Sequence, residues 1–225
     1  LGAVLISTVS PTDPAIVIQD GASGNILTFS GTTVLPVLGI AIQDGTGANI
    51  LNIEAGTTIT GNIAMGGGAD VVSVSASTVA DIDLGAGIDS LSLNTDVIAF
   101  GALDGGSEFD TLNLVGVGVA SITLGAGLVD NFEALVKAGT GTWTLDGTGS
   151  FETLLVNDGT LVVNVGAVLD VTAAASVIVN AGALIVVGTQ NTTGTTVVLG
   201  GSLQVNNAGI YNATGATSVD FDGLI

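Results

Sequence analysis

The stretch Ile63-Ala64-Met65-Gly66-Gly67-Gly68-Ala69-Asp70-Val71-Val72-Ser73-Val74 is followed 19 residues later by Ile82-Asp83-Leu84-Gly85-Ala86-Gly87-Ile88-Asp89-Ser90-Leu91-Ser92-Leu93. Asp110-Thr111-Leu112-Asn113-Leu114 continues the series after another 21 residues. Within each copy, apolar and polar residues alternate, which is the period of a strand with one buried face. Gly and Asp separate the alternating runs, as turn residues do. Working outward, Val79-Ala80-Asp81-Ile82-Asp83-Leu84-Gly85-Ala86-Gly87 recurs as Val119-Ala120-Ser121-Ile122-Thr123-Leu124-Gly125-Ala126-Gly127, 40 residues on. Ile18-Gln19-Asp20-Gly21 returns as Ile42-Gln43-Asp44-Gly45 at an offset of 24. Val156-Asn157-Asp158-Gly159-Thr160-Leu161 returns as Val179-Asn180-Ala181-Gly182-Ala183-Leu184 at 23, and as Val198-Leu199-Gly200-Gly201-Ser202-Leu203 after a further 19.

A period near 20 built from short strands and Gly, Asn and Asp turns is the signature of a β-solenoid, in which each coil buries its apolar side only by stacking on its neighbours. The expected fold is all-β: a right-handed parallel β-helix of about 11 coils of about 20 residues, the hand following the usual crossover rule. The rival, an antiparallel sandwich, does not produce echoes at one coil length. One domain over residues 1–225 is expected. Its N-terminal coils and cap lie at 1–60, Gly/Asp-rich coils at 61–130, and a third group at 131–225. Pro11 and Pro14 are placed to blunt the first coil, while no Pro or Lys blunts the segment from Tyr211 to Ile225. The segment Asn131 to Lys137 is the one candidate for a short helix. The three echoes ending at Leu161, Leu184 and Leu203 predict one inward column of Leu side chains.

Composition narrows the function. Apolar residues make up 47% of the 225 residues, enough to fill a core, and they are Val, Ile, Leu and Ala rather than aromatics. Twenty Asp and Glu stand against one basic residue, Lys137, for a formal net charge of −19. Such a field repels nucleic acid and anionic membranes and attracts cations and basic surfaces. The longest uncharged run, Leu114 to Val129, alternates with Gly, Ser and Thr and reads as β rungs, so no membrane insertion of this segment is expected. No Cys is present, which excludes disulfides and thiolate metal sites and suits a chain exported unfolded. Leu1 opens the sequence without a basic, apolar leader, which is read as a mature or excised piece.

The stretch from Asn131 onward carries Asn131-Phe132-Glu133-Ala134-Leu135, then Gly139-Thr140-Gly141-Thr142-Trp143-Thr144-Leu145, then Gly159-Thr160-Leu161-Val162-Val163. This resembles the passenger-associated repeat of bacterial autotransporters, where a Gly-Thr-Gly-x-Trp/Leu-Thr-Leu strand precedes a Gly-Thr-Leu strand. The match covers about Asp130 to Val187, and Phe151-Glu152-Thr153-Leu154 replaces the usual Gly- and Thr-rich linker. The resemblance implies a β-helical passenger domain, secreted to the bacterial outer-membrane surface.

Catalytic chemistry is poorly supplied. Without His or Cys, the usual general base and thiol nucleophile are missing, and a Ser-His-Asp triad is excluded. Carboxylates, Lys137 and Tyr211 remain. An enzyme acting on acidic polysaccharide needs basic groups that this chain lacks, and no Asp-Asp pair is adjacent. The strongest constellation is Asp70, Asp89, Asp110 and Asp130, at spacings of 19, 21 and 20. Stacked in neighbouring coils, these carboxylates repel. A calcium ladder would relieve the repulsion, since hard cations take carboxylate and carbonyl oxygens. The competing and favoured reading has each Asp capping its own turn by accepting backbone N–H bonds. No cofactor other than candidate calcium is expected. Asp81 and Asp83, and Asp220 and Asp222, flank Ile82 and Phe221 as solvated pairs. Asn191-Thr192-Thr193 and Asn212-Ala213-Thr214 match a glycosylation acceptor by chance, and Trp143 is expected in the core rather than on a sugar.

The expected function is a non-enzymatic, extracellular structural or adhesive solenoid of a bacterial surface. One alternative is a self-associating subunit of a filament or coat, joined end to end or laterally; a polysaccharide-active enzyme is the least favoured. A host-surface or glycan ligand is the expected external partner.

Overall fold

In a computed structural model, residues 4–6, 16–18, 24–31, 34–35, 39–173, 177–206 and 209–220 are described. Among them there is no helix, and the strands are short and stacked in parallel as a β-solenoid. Val4–Ile6 and Ile16–Ile18 pair antiparallel. The coils number about eight rather than 11. Part of the reason is that paired residues lie up to 26 apart (Ile16 with Ile42) as well as 19 apart (Val71 with Ser90). The chain forms two compact units: Leu1–Leu112 with Asp130–Phe132, and Asn113–Val129 with Glu133–Ile225.

In the first unit, Ile26–Phe29, Ile50–Ile53, Val71–Val74 and Ser90–Asn94 pair in one sheet. Ile16–Ile18, Ile40–Gln43, Asn62–Ala64, Ile82–Asp83 and Leu103–Asp104 form a second. Val34–Leu35, Thr58–Ile59 and Thr78–Val79 form a third. Alternation does the rest: Leu51, Val72 and Leu91 make one buried column, Ile53, Val74 and Leu93 another, and Ile42, Ile63, Ile82 and Leu103 a third. These pairings reproduce the 19-residue echo. The Ile18/Ile42 echo does not set the register there, because Ile42 pairs with Ile16. A slip of two keeps the same face inward, so alternation alone cannot detect it. Gln19 to Gly21 and the proposed Pro11 and Pro14 cap lie outside the described residues. The corners are tight: a Cβ on Gly87, at φ +143°, would collide with the Gly68 carbonyl oxygen of the coil beneath.

In the second unit, Ala134–Lys137, Thr153–Val156, Val177–Val179, Thr196–Leu199 and Thr217–Asp220 pair in sequence. The long strand Thr142–Phe151 serves two sheets. Its first half lies between Val119–Leu124 and Thr160–Val163, which leads on to Ala183–Val186 and Ser202–Val205. Its second half starts a series through Val168–Val171, Thr189–Thr192 and Ile210–Ala213. Leu161 pairs with Leu184 and Leu184 with Leu203, as expected from the echoes. Trp143 heads the column; Trp143, Leu161 and Leu184 are buried and Leu203 is half-buried. The one candidate for a short helix, Asn131 to Lys137, is not helical. Asn131 adopts φ +55° and Ala134–Lys137 is a strand paired with Thr153–Val156. Ala, Leu and Lys favour helix in isolation, but that preference is small beside a full set of cross-strand partners.

A buried carboxylate ladder as the candidate functional site

In the first unit, Asn25, Asn49, Asp70, Asp89 and Asp110 each stand immediately before a strand. The backbone N–H at such a position points toward the next coil, where the strand pairing has not yet begun. The next coil's side chain fills the gap. Asn49 Oδ1 accepts from Asn25 N–H at 3.0 Å, Asp70 Oδ1 from Asn49 N–H at 2.7 Å, Asp89 Oδ1 from Asp70 N–H at 2.6 Å, and Asp110 Oδ1 from Asp89 N–H at 2.7 Å. The carbonyls at the same positions accept normally: Val71 N–H donates to Asn49, Ser90 N–H to Asp70 and Thr111 N–H to Asp89. Each rung thus satisfies a buried backbone donor that would otherwise be costly. The Asp side chains do cap backbone N–H groups, but those of the neighbouring coil and not of their own turns as expected, because the unpaired donor lies one coil away.

The ladder is sealed. Asp70 and Asp110 are 0% exposed and Asp89 2%. Asp70 Oδ2 and Asp89 Oδ2 are buried without a hydrogen-bond partner. Below them, the buried Asp44 accepts from Gly45 N–H at 2.6 Å and from Asn49 Nδ2 at 2.5 Å. Burial pushes the Asp70 carboxyl up to about 7; the Asn49 N–H opposes this and the charges of Asp44 and Asp89 add to it. Burial also raises Asp89, opposed by the Asp70 N–H and assisted by Glu108.

Asp130 does not join the ladder. It is exposed at the end of Val129–Asp130, and its carbonyl accepts Gly105 N–H at 3.1 Å. The 20-residue spacing is coincidental, and the residues that follow show why. Each ladder position is followed by an alternating strand (Val71-Val72-Ser73-Val74, Ser90-Leu91-Ser92-Leu93, Thr111-Leu112-Asn113-Leu114), whereas Asp130 is followed by Asn131-Phe132-Glu133. The same signal finds the two rungs missed by counting Asp alone, Asn25 before Ile26-Leu27-Thr28-Phe29 and Asn49 before Ile50-Leu51-Asn52-Ile53.

Asp81 and Asp83 are exposed on either side of buried Ile82, and Asp81 Oδ1 accepts Ala102 N–H at 2.8 Å. Asp83 lies beside Asp104; although the residue stays solvent-exposed, partial desolvation of its carboxyl first, then that charge, raises it against the Gly85 N–H. Asp222 and Phe221 lie outside the described residues. Trp143 is buried and donates to the Val115 carbonyl at 2.9 Å, which confirms a core role. Asn212 Nδ2 donates to Asn191 Oδ1 at 2.8 Å and Asn191 Nδ2 to Asp170 Oδ1 at 2.6 Å, so the two acceptor-like Asn residues form rungs of their own. Tyr211 shares a hydrogen bond with Thr196. Lys137 is fully buried in a core column with Val156, Val179 and Val198, and its Nζ donates to the carbonyls of Ala138, Gly139 and Asp158 at 2.9, 2.6 and 3.2 Å. Burial lowers its pKa, and the Asp158 charge opposes this.

Among the described residues, no group of three or more carboxylates gathers to hold a metal ion. The capping geometry therefore predicts a melting temperature that is the same in millimolar Ca²⁺ and in chelator. A rise with Ca²⁺ that is lost in Asp70→Asn would reinstate the calcium ladder, by linkage. Compared with protein-family models, curated proteins and solved structures, the chain matches none of them.

Proposed function

We propose that this chain is a non-enzymatic structural or adhesive β-solenoid displayed outside a bacterial cell, similar to an autotransporter passenger. One observation carries the reading: the buried carboxylates of the ladder, the one base and several surface Asp and Asn side chains are committed to joining coils. Asp70, Asp89, Asp110 and Asp81 cap backbone N–H groups of adjoining coils, Asp170, Asn191 and Asn212 bridge coils side chain to side chain, and Lys137 is sealed against three carbonyls. An enzyme keeps such groups poised in a cleft; a shaft uses them as fasteners. The passenger-like repeat from Asp130 to Val187 supports the extracellular placement. Antibody labelling of intact cells of the source bacterium tests it, together with incubation of the purified chain with acidic and neutral polysaccharides. Surface labelling without new reducing ends is expected. Label confined to the cell interior would overturn the placement, and new reducing ends would restore the enzyme.

A second reading, a subunit of an extracellular filament or coat, draws on outward apolar residues. Val117 and Val119 are 84% and 78% exposed in the second unit, and Ile26 is 67% exposed in the first. Apolar side chains in such positions serve contacts with other molecules. Negative-stain microscopy across a salt series separates the two: salt screens the charge of −19 and leaves apolar contact intact, so long polymers at physiological salt would favour the filament and single rods the shaft.

A further inference from the structure

Two chemistries perform the same cap in the ladder of the first unit. Asn49 accepts the N–H of the preceding coil with an uncharged amide, whereas Asp70 and Asp89 accept theirs with a carboxyl. The cap needs only Oδ1, and the amide of Asn49 makes it without charge; ionisation strengthens the bond but does not make it possible. What the carboxyl adds is a second oxygen, and at Asp70 and Asp89 that oxygen is buried without a partner. A carboxylate in that position is costly, because an isolated charge in a dry interior is among the most unfavourable arrangements a protein can hold. Beyond the single N–H that each accepts, the surroundings add like charge. Asp44 and Asp89 face Asp70, and Asp70, Asp110 and Glu108 face Asp89. No Lys, Arg or His occurs anywhere before Lys137, so no cation of this unit can pair with either group. A neutral carboxylic acid removes the repulsion and replaces the desolvation cost of a charge by the smaller one of a hydroxyl, while keeping Oδ1 as the acceptor.

We infer that the ladder is a proton-binding device: Asp70 and Asp89 enter the folded coils as neutral carboxylic acids, and loss of those protons loosens the coils they cap. The protons come from solvent as the chain folds and return to it when the ladder opens. The sign follows from linkage. Carboxyls that titrate higher in the folded state than in the unfolded chain make the folded state bind more protons, so stability is greatest in acid. It falls as pH rises from the ordinary Asp range, 3.8, through about 7, where Asp70 titrates. A secreted shaft built this way is firmest in acid surroundings and most open in alkaline ones.

The test is the melting temperature of the whole chain between pH 5 and pH 8.5 at fixed ionic strength. It compares wild type, the double variant Asp70→Asn/Asp89→Asn, and Asp81→Asn, which removes an acid outside the ladder. Wild type is expected to lose about 5–10 °C over that interval. The double variant is expected to lose much less and to melt above wild type at pH 8.5; Asp81→Asn should keep the wild-type slope. The control matters because the general repulsion among 20 acidic residues also grows with pH. A double variant that keeps the wild-type slope, or a wild type whose melting temperature is flat or rises with pH, overturns the inference. Should the double variant not fold, infrared spectroscopy of wild type near pH 6.5 decides directly. A protonated-carboxyl C=O band that persists in the folded protein and vanishes on unfolding supports the device, and its absence sinks it.

Discussion

Replacing Leu184 with Asp is expected to unfold the second unit at room temperature or leave it barely stable. Leu184 is fully buried, paired with Leu161 on one side and Leu203 on the other. The neighbouring core positions Val163 and Val186 are apolar and fully buried, and the sole basic side chain, Lys137, already satisfies three carbonyls. An Asp here has neither partner nor water. Burying such a group costs about 4 kcal/mol or more, a large share of the 5–15 kcal/mol by which domains are stable. Because a solenoid coil contacts only its neighbours, the damage should spread through adjacent coils rather than stop at one strand. Hydrogen exchange should show lost protection over Thr160–Val163, Ala183–Val186 and Ser202–Val205 before it shows any loss in the first unit. Leu203→Asp, at a half-buried position, should be milder. If Leu184→Asp melted like wild type, the inward column would be wrong.

Lys137→Met should lower stability by about 2–4 kcal/mol. Methionine keeps the apolar stem of a core position shared with Val156 and Val179, so packing changes little. What is lost is the donor for three carbonyls, of Ala138, Gly139 and Asp158. Leaving a buried acceptor unmet costs about 1–3 kcal/mol; here Ala138 and Gly139 are half-buried and Asp158 is exposed, so water meets part of the loss, and no longer burying a charge offsets more. Urea denaturation measures the loss, and equal midpoints for the two proteins would show that the ammonium contributes nothing. The same burial gives an independent test. Lys137 is the single Lys or Arg of the chain and hence the one trypsin site in it. Native protein should resist trypsin, and cleavage after Lys137 should begin only in urea concentrations that unfold the second unit. Rapid native cleavage there would mean that the strand Ala134–Lys137 opens readily.

The period of about 20, read with the two-residue alternation inside each coil, was enough to determine the solenoid. Two residues one coil apart must fall on the same face of adjacent strands, so the echoes of Ile63 to Val74 in Ile82 to Leu93, and of Leu161 in Leu184 and Leu203, translate directly into paired residues. Tertiary structure decided what repetition leaves degenerate. Ile42 pairs with Ile16 and not Ile18, since either choice buries the same face. Ala134–Lys137 is a strand because Thr153–Val156 lies beside it, a partner that no local propensity can see. Asp130, at the right distance along the chain, stands outside the ladder, while Asn25 and Asn49 stand inside it. Membership depends on which backbone N–H the neighbouring coil leaves unpaired; the alternating run after each rung marks those positions in the sequence, whereas the spacing of Asp residues does not. The sequence could show that Lys137 was its one base; only packing of the coils against each other put its ammonium where three carbonyls converge.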